Sequence, residues 1–106
     1  MPKYLYQASY TTEGIKGVMK DSPSRRLKAA EALTQSLGGK LECFYFCFGA
    51  DDVITIVDLP DNAAAAALAA TVGATGLVHG RVTPLLTMEE ADKALAAKTT
   101  YRAPGQ

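Results

Sequence analysis

Chemistry that needs several histidines, several cysteines or a block of like charge has little to draw on in this sequence. The chain holds one histidine, His79, and two cysteines, Cys43 and Cys47, among 106 residues. A structural zinc site wants four Cys or His ligands, so one chain cannot build it, and no metal is expected. Eleven basic and eleven acidic side chains leave a formal net charge of zero. A general nucleic-acid binder needs clustered Lys and Arg to neutralise phosphates, so that class is set aside. The same neutrality removes the charge repulsion that would keep copies apart. No apolar run approaches the length of a membrane span or a signal-peptide core. The longest, Ala63 to Ala70, is nearly all alanine. Glycine-rich nucleotide fingerprints, phosphate loops and serine-nucleophile elbows are missing too, and no cofactor is expected. The resulting expectation is a cytoplasmic protein that meets neither membrane nor nucleic acid, with both thiols reduced.

What is present is a clear order of elements. Hydrophobic residues at 48% and charged residues at 21% suit one globular domain with a small core. Tyr4 to Tyr10 reads as a first strand, and Thr11 offers a hydroxyl cap for a short helix to about Met19. Ser22-Pro23 opens a second helix, the hydroxyl capping and the proline standing where its missing N–H costs nothing. Leu27, Ala30, Leu33 or Thr34, and Leu37 share one face of it. Gly38-Gly39 ends it. Leu41 to Phe48 and Val53 to Leu59 read as two strands of a hairpin around Gly49-Ala50-Asp51-Asp52. Pro60-Asp61 opens a third helix, expected to stop at Gly73. Leu77 to Leu86 is a fourth strand, and Pro84 confines its far end to an edge. Thr87 and Glu90 have the spacing of a capping box for a last helix to about Ala97. The fold class is therefore α+β: a ferredoxin-like β-α-β-β-α-β arrangement with one antiparallel sheet and an added C-terminal helix. Residues 1–98 form the domain and 99–106 a flexible tail.

Helices can cover one face of such a sheet, and a solvated second face should be polar at alternate positions. The second strand places Leu41, Cys43, Tyr45 and Cys47 on one side and Phe44, Phe46 and Phe48 on the other. The third places Val53 and Val57 against Ile54 and Ile56. Apolar area left wet costs roughly 25 cal/mol per Å², and a contiguous patch marks an association site. The expected partner is a second copy, sheet against sheet about a two-fold axis, as a homodimer or a higher oligomer. Such a pair can enclose a cavity for a small organic ligand, with Gln7, Ser9, Tyr45, Thr55, His79 and Arg81 as the candidate lining residues.

Each candidate for chemistry has a plainer reading beside it. Cys43 and Cys47 lie about 13 Å apart on an extended strand, too far for a bridge that needs Cα atoms roughly 4.4–6.8 Å apart. They read as small packing residues. His79 is the one possible histidine acid or base, and Arg81, two residues on, shares its face. In the usual 4-1-3-2 strand order His79 stands roughly 14 Å from Cys43, so a Cys-His pair within one subunit is not expected. Asp51 and Asp52 fit ordinary turn chemistry. Lys20, Arg25, Arg26 and Lys28 make a basic cluster at a helix start, where an anion can bind or the charges simply face solvent. Three functions follow: a dimer binding a small molecule, a cofactor-free oxygenase or isomerase using His79 with Arg81 steadying negative charge, or a structural assembly module.

An ordered series of short motifs runs through the chain. It comprises Tyr10-Thr11-Thr12-Glu13-Gly14-Ile15-Lys16, Lys20-Asp21-Ser22-Pro23, Leu37-Gly38-Gly39-Lys40-Leu41, Phe44-Tyr45, Phe48-Gly49-Ala50-Asp51-Asp52, Val57-Asp58-Leu59-Pro60-Asp61 and Thr87-Met88-Glu89-Glu90. In this the sequence resembles the GYD-domain family, small proteins of the dimeric α+β barrel type, from Tyr4 to about Ala97. The resemblance implies the fold and dimerisation, with no reaction attached. One position departs from it. The motif that names the family places Tyr before Asp, and here Asp51 stands in that place while Asp52 keeps its own.

Overall fold

Alternation along the first strand sets the two faces of the sheet. In the computed structural model, which covers all 106 residues, β1 (Lys3–Tyr10) buries Tyr4, Tyr6 and Ala8, while Lys3, Leu5, Gln7 and Ser9 point the other way, half-exposed. The chain continues through α1 (Thr12–Lys20), α2 (Pro23–Ser36), β2 (Lys40–Phe46), β3 (Val53–Asp58), α3 (Asn62–Gly73), β4 (Val78–Leu85) and α4 (Met88–Ala96). The sheet order is β2-β3-β1-β4 and every neighbouring pair is antiparallel. That is the ferredoxin-like order read from the opposite edge, with β4 at one border. No helix is long and apolar enough to cross a membrane.

Local chemistry explains the helix ends. The Thr11 hydroxyl accepts from the Gly14 amide at 3.1 Å, Ser22 accepts from Arg25 at 3.1 Å, and Asp61 accepts from Ala64 at 2.9 Å. Gly38 takes the left-handed conformation after α2, with φ 81°. Thr87 and Glu90 complete the capping box of α4 in both directions. Helix α3 stops at Gly73 as expected, with Ala74 as its C-cap, and the chain reverses at Gly76, whose φ is 72°.

Strand β2 corrects the expected alternation. A bulge between Leu41 and Cys43 shifts the register, so Leu41 pairs with Val57 while Cys43 already pairs with Ile56. One extra residue turns the following side chains over. Leu41, Phe44 and Phe46 therefore face the helices, and Cys43 and Tyr45 face away. Phe48 lies beyond the strand and is fully exposed.

The core forms between the sheet and α2 and α3. Tyr4, Tyr6, Ala8, Val53, Val57 and Leu59 meet Ala65 and Leu68 of α3, with Leu33 and Leu37 of α2 at the margin. The small side chains of α3 let its backbone come close, which larger residues would prevent. Only Thr34 of α2 is fully buried. Helix α1 is held differently. The Leu77 carbonyl accepts from the Thr11 amide at 2.9 Å and sits against Gly14, where a Cβ would collide with it.

Helix α4 makes little contact with the other elements of the chain. Met88 and Leu95 are 76% and 89% exposed. The molecule is accordingly elongated, 56 × 33 × 22 Å, with a radius of gyration of 16.9 Å. A compact chain of this size has about 13 Å. The sheet face opposite α2 and α3 is left uncovered by the chain's own helix.

Candidate functional site

Register places the uncovered face in rows across the four strands. Leu85, Lys3 and Asp58 form one row; Thr83, Leu5, Ile56 and Cys43 the next; Arg81, Gln7, Ile54 and Tyr45 the third; His79 and Ser9 the fourth. Apolar side chains fill the middle and ion pairs stand at the ends. Lys3 contacts Glu42 at 2.9 Å and Asp58 at 2.8 Å, which raises its pKa, the Asp58 hydrogen bond first and the Glu42 hydrogen bond second.

At the other end the loop between β2 and β3 folds over the sheet. The Asp51 carboxylate accepts from the Arg81 guanidinium at 3.0 and 3.3 Å and from the Gln7 amide at 3.5 Å. The Ser9 hydroxyl donates to the Ala50 carbonyl at 3.2 Å. Asp52 accepts from the Tyr10 amide at 2.9 Å, and the Cys47 thiol donates to the Asp51 carbonyl at 3.1 Å. Both aspartates thus reach across the sheet, whereas the sequence predicted local turn bonding for them. Arg81 is already matched by a carboxylate, so it is a poor group for steadying new negative charge.

Five of the six predicted lining residues share this face: Gln7, Ser9, Tyr45, His79 and Arg81. They do not converge on one point. Three interstrand steps of about 4.8 Å separate Arg81 from Tyr45, and Gln7 and Ser9 are engaged by the loop. Thr55 does not join them. It lies on the helix side between Val53 and Val57, 5% exposed, and donates to the Cys43 carbonyl at 2.6 Å. Strand alternation dictates this, since residues 53, 55 and 57 must share a face. Cys43 and Cys47 are free thiols, and no cluster of three metal-ligating side chains exists.

A shallow, open pocket of about 300 Å³ lies on this face at the β2–β3 loop, bordered by Cys47, Phe48, Asp51 and Ile54, and a larger cavity lies on the opposite, helix-covered face. A cleft of about 460 Å³ opens between α1, the start of α2 and the end of α3, bordered by Gly17, Asp21, Thr71 and Thr75. It meets an apolar recess of about 100 Å³ beneath α2, through the shared residues Tyr10, Arg26, Leu33, Val72 and Val78. Of the 16 residues around the recess, 13 are hydrophobic, so its affinity is for an apolar body. The void has a sequence cause. Ala29 and Ala30 on α2 and Ala8 and Thr55 on the sheet all line it, and small side chains from both walls leave the gap unfilled. A filled core has few voids larger than a water molecule.

Polar groups in this cavity are few. Thr34 and Thr55 direct their hydroxyl protons to the Ala30 and Cys43 carbonyls. The Tyr4 hydroxyl, outside the cavity, donates to Asn62. Tyr6 is 7% exposed, and its hydroxyl lies over Gly80 of β4, which borders neither the cleft nor the recess. Burial raises the pKa of Tyr6, and Tyr10 raises it further. Burial likewise raises that of Tyr10, with Arg26 pulling it part of the way back and Asp52 adding to it. Both phenols stay protonated at neutral pH and act as donors. Arg26 is the cation of the cavity, 3.8 Å from Asp21 Oδ2, while Asp21 Oδ1 lies 3.7 Å from Arg25. One carboxylate shared by two guanidiniums leaves net positive charge at the mouth.

The sequence placed Arg26 in a basic cluster at a helix start, and that was the available signal. The tyrosines Tyr4, Tyr6, Tyr10 and Tyr45 read from the sequence as packing residues, with stacking on a flat ligand as the other reading, and Tyr6 and Tyr10 are the two that line the recess.

The family model described as the GYD domain matches residues 4–95. No curated protein matches the chain, and no solved structure does.

Proposed function

This chain belongs to the GYD-domain family, and we propose that it is a small-molecule-binding protein that works as a homodimer, with the ligand held between the sheet and α2. The observation that carries this is the joined cleft and recess beneath α2. Its outer volume of about 460 Å³ falls in the range of ligand pockets, roughly 300–1,000 Å³, and the recess of about 100 Å³ admits part of a single ring, a whole benzene needing about 150 Å³. A purely structural module has no use for a void that lowers its own packing.

Self-association is supported by the other face. Leu5, Ile54 and Ile56 form the centre of an uncovered sheet, and the projecting α4 carries Met88, Ala91 and Leu95 at helical spacing on one side. The ion pairs at both ends of the sheet leave the centre free to meet its two-fold mate. The Asp51–Arg81 pair gives the His79 and Arg81 enzyme reading no free cation, so binding is the reading adopted here.

The test is an NMR titration with indole as a neutral, ring-sized probe. Saturable shifts at the amides of Ala30, Leu33 and Val72 are expected, lost in Ala30→Phe, which fills the recess. Absence of shifts there, or shifts confined to β2 and β3 residues of the uncovered face, would overturn the cleft as the binding site. Sedimentation should give a dimer for the wild type and a monomer for Ile56→Asp.

A further inference from the structure

From the donors that line it, we infer that the cleft selects a compact organic acid, a ring-sized apolar body carrying one carboxylate or similar oxyanion, with Arg26 as its anchor. This rests on the reading that the cleft is the binding site. It adds the chemical class.

Arg26 is the one cation where recess and cleft join, and a guanidinium can only donate. Tyr10 stands beside it, with a hydroxyl that can donate or accept. The two threonine hydroxyl protons are engaged within the chain. Asp21, the one carboxylate, lines only the outer cleft and already faces Arg25 as well as Arg26. A cationic ligand would meet Arg26 with like charge, and a neutral one would offer it no charged partner, whereas a carboxylate offers both charge and acceptors. The planar fork of arginine suits two carboxylate oxygens together.

The arrangement also fixes orientation. Arg26, Tyr10, Leu33, Val72 and Val78 stand where the two spaces join. An acid anchored there has its ring pointing inward among Leu41, Phe44, Val53 and Leu68, and substituents on the other side pointing to the cleft. Arg26 lies at the junction, its side chain 40% exposed, so a charged head reaches it without full dehydration. A long fatty chain does not fit, because the recess is only about 100 Å³.

The experiment compares three single-ring probes: benzoate, benzamide and the benzylammonium ion, by calorimetry and NMR on the full chain. Benzoate should bind at least tenfold tighter than benzamide, and the cation most weakly. Arg26→Gln should abolish the preference for the acid while leaving benzamide affinity within twofold. Arg26→Lys should restore part of it, and Lys28→Gln, exposed on α2 and outside the lining of both spaces, should leave it intact. Equal affinity of acid and amide for the wild type, or a preference that survives Arg26→Gln, overturns the acid class while the cleft stands. If none of the three shifts the recess amides, both readings fall together.

Discussion

Asp51 and Arg81 lie 30 residues apart and form a two-point ion pair, Oδ2 to Nη2 at 3.0 Å and Oδ1 to Nη1 at 3.3 Å. Arg81 is 62% exposed at its side chain and Asp51 11%. The loop between β2 and β3 is thereby fastened to the edge strand β4. A side chain without a carboxylate at position 51 could not reproduce this two-point ion pair.

Asp51→Ala and Arg81→Ala should each destabilise the protein, and the two effects should not add. The coupling expected for a partly exposed, bidentate pair is about 0.5–1 kcal/mol. A double-mutant cycle by urea unfolding measures it. Full additivity would mean that the loop is held by Ser9 and Tyr10 alone. Asp51→Tyr should lose the same coupling and leave Arg81 as a free cation on the sheet face.

The two glycines of α1 are expected to respond in opposite directions to alanine. Helix propensity alone favours alanine by about 1 kcal/mol at both. At Gly17 a Cβ meets nothing within 4 Å, so Gly17→Ala should stabilise by roughly that amount. At Gly14 the new Cβ would run into the Leu77 carbonyl, which also accepts from the Thr11 amide. That backbone cannot yield without parting α1 from the start of β4, and Gly14→Ala should lose about 1–3 kcal/mol. Thermal melts of the two variants decide the matter. Stabilisation by both would show that the Leu77 contact is loose.

Much of the architecture was legible because its signals are local. Ser22-Pro23, Asp61 and the Thr87/Glu90 pair state helix starts, and Val53 to Asp58 states a strand, within a few residues each. The β2 bulge was not legible, since a skipped register between Leu41 and Cys43 is a backbone event with no side-chain signature. Asp51 and Asp52 read as turn residues because their partners, Arg81 and Tyr10, come from distant parts of the chain. The cleft escaped for a similar reason: Ala29 and Ala30 form a void only once Ala8 and Thr55 face them. Thr55 was assigned to the wrong side even though its own strand's alternation contained the answer.

Alkaline stability should report the two cavity tyrosines. Burial raises both phenols above the ordinary value of about 10. The folded state then binds these protons more tightly than the unfolded state does. Stability from this source is fully present below about pH 10 and falls as the pH rises toward the folded values. Urea midpoints between pH 8 and pH 11 should drop, and Tyr6→Phe should make the drop shallower. Some slope will remain from Tyr10 and from Lys3, whose raised pKa acts in the same direction. An unchanged slope in Tyr6→Phe would place that hydroxyl in contact with bulk water.

Helix α4 permits a sharper separation of fold from assembly. Its side chains cover no part of the chain's own core, and Leu95 at 89% exposure gains nothing from the protomer. Nine residues in water do not hold a helix by backbone bonding alone; the Thr87–Glu90 box helps, and a packing surface is still wanting. In the Ile56→Asp background, where the chain is expected to be monomeric, deleting residues 87–106 should change the melting temperature by less than about 2 °C, since a loss of 1 kcal/mol moves a domain of this size by about 4–8 °C. In the wild-type background the same deletion should weaken the dimer at least tenfold by sedimentation equilibrium, because the stripe of Met88, Ala91 and Leu95 then has no partner copy to cover. A monomer that unfolds on deletion would make α4 part of the protomer's own stability, and an unaltered dimer would leave the stripe without a role in association.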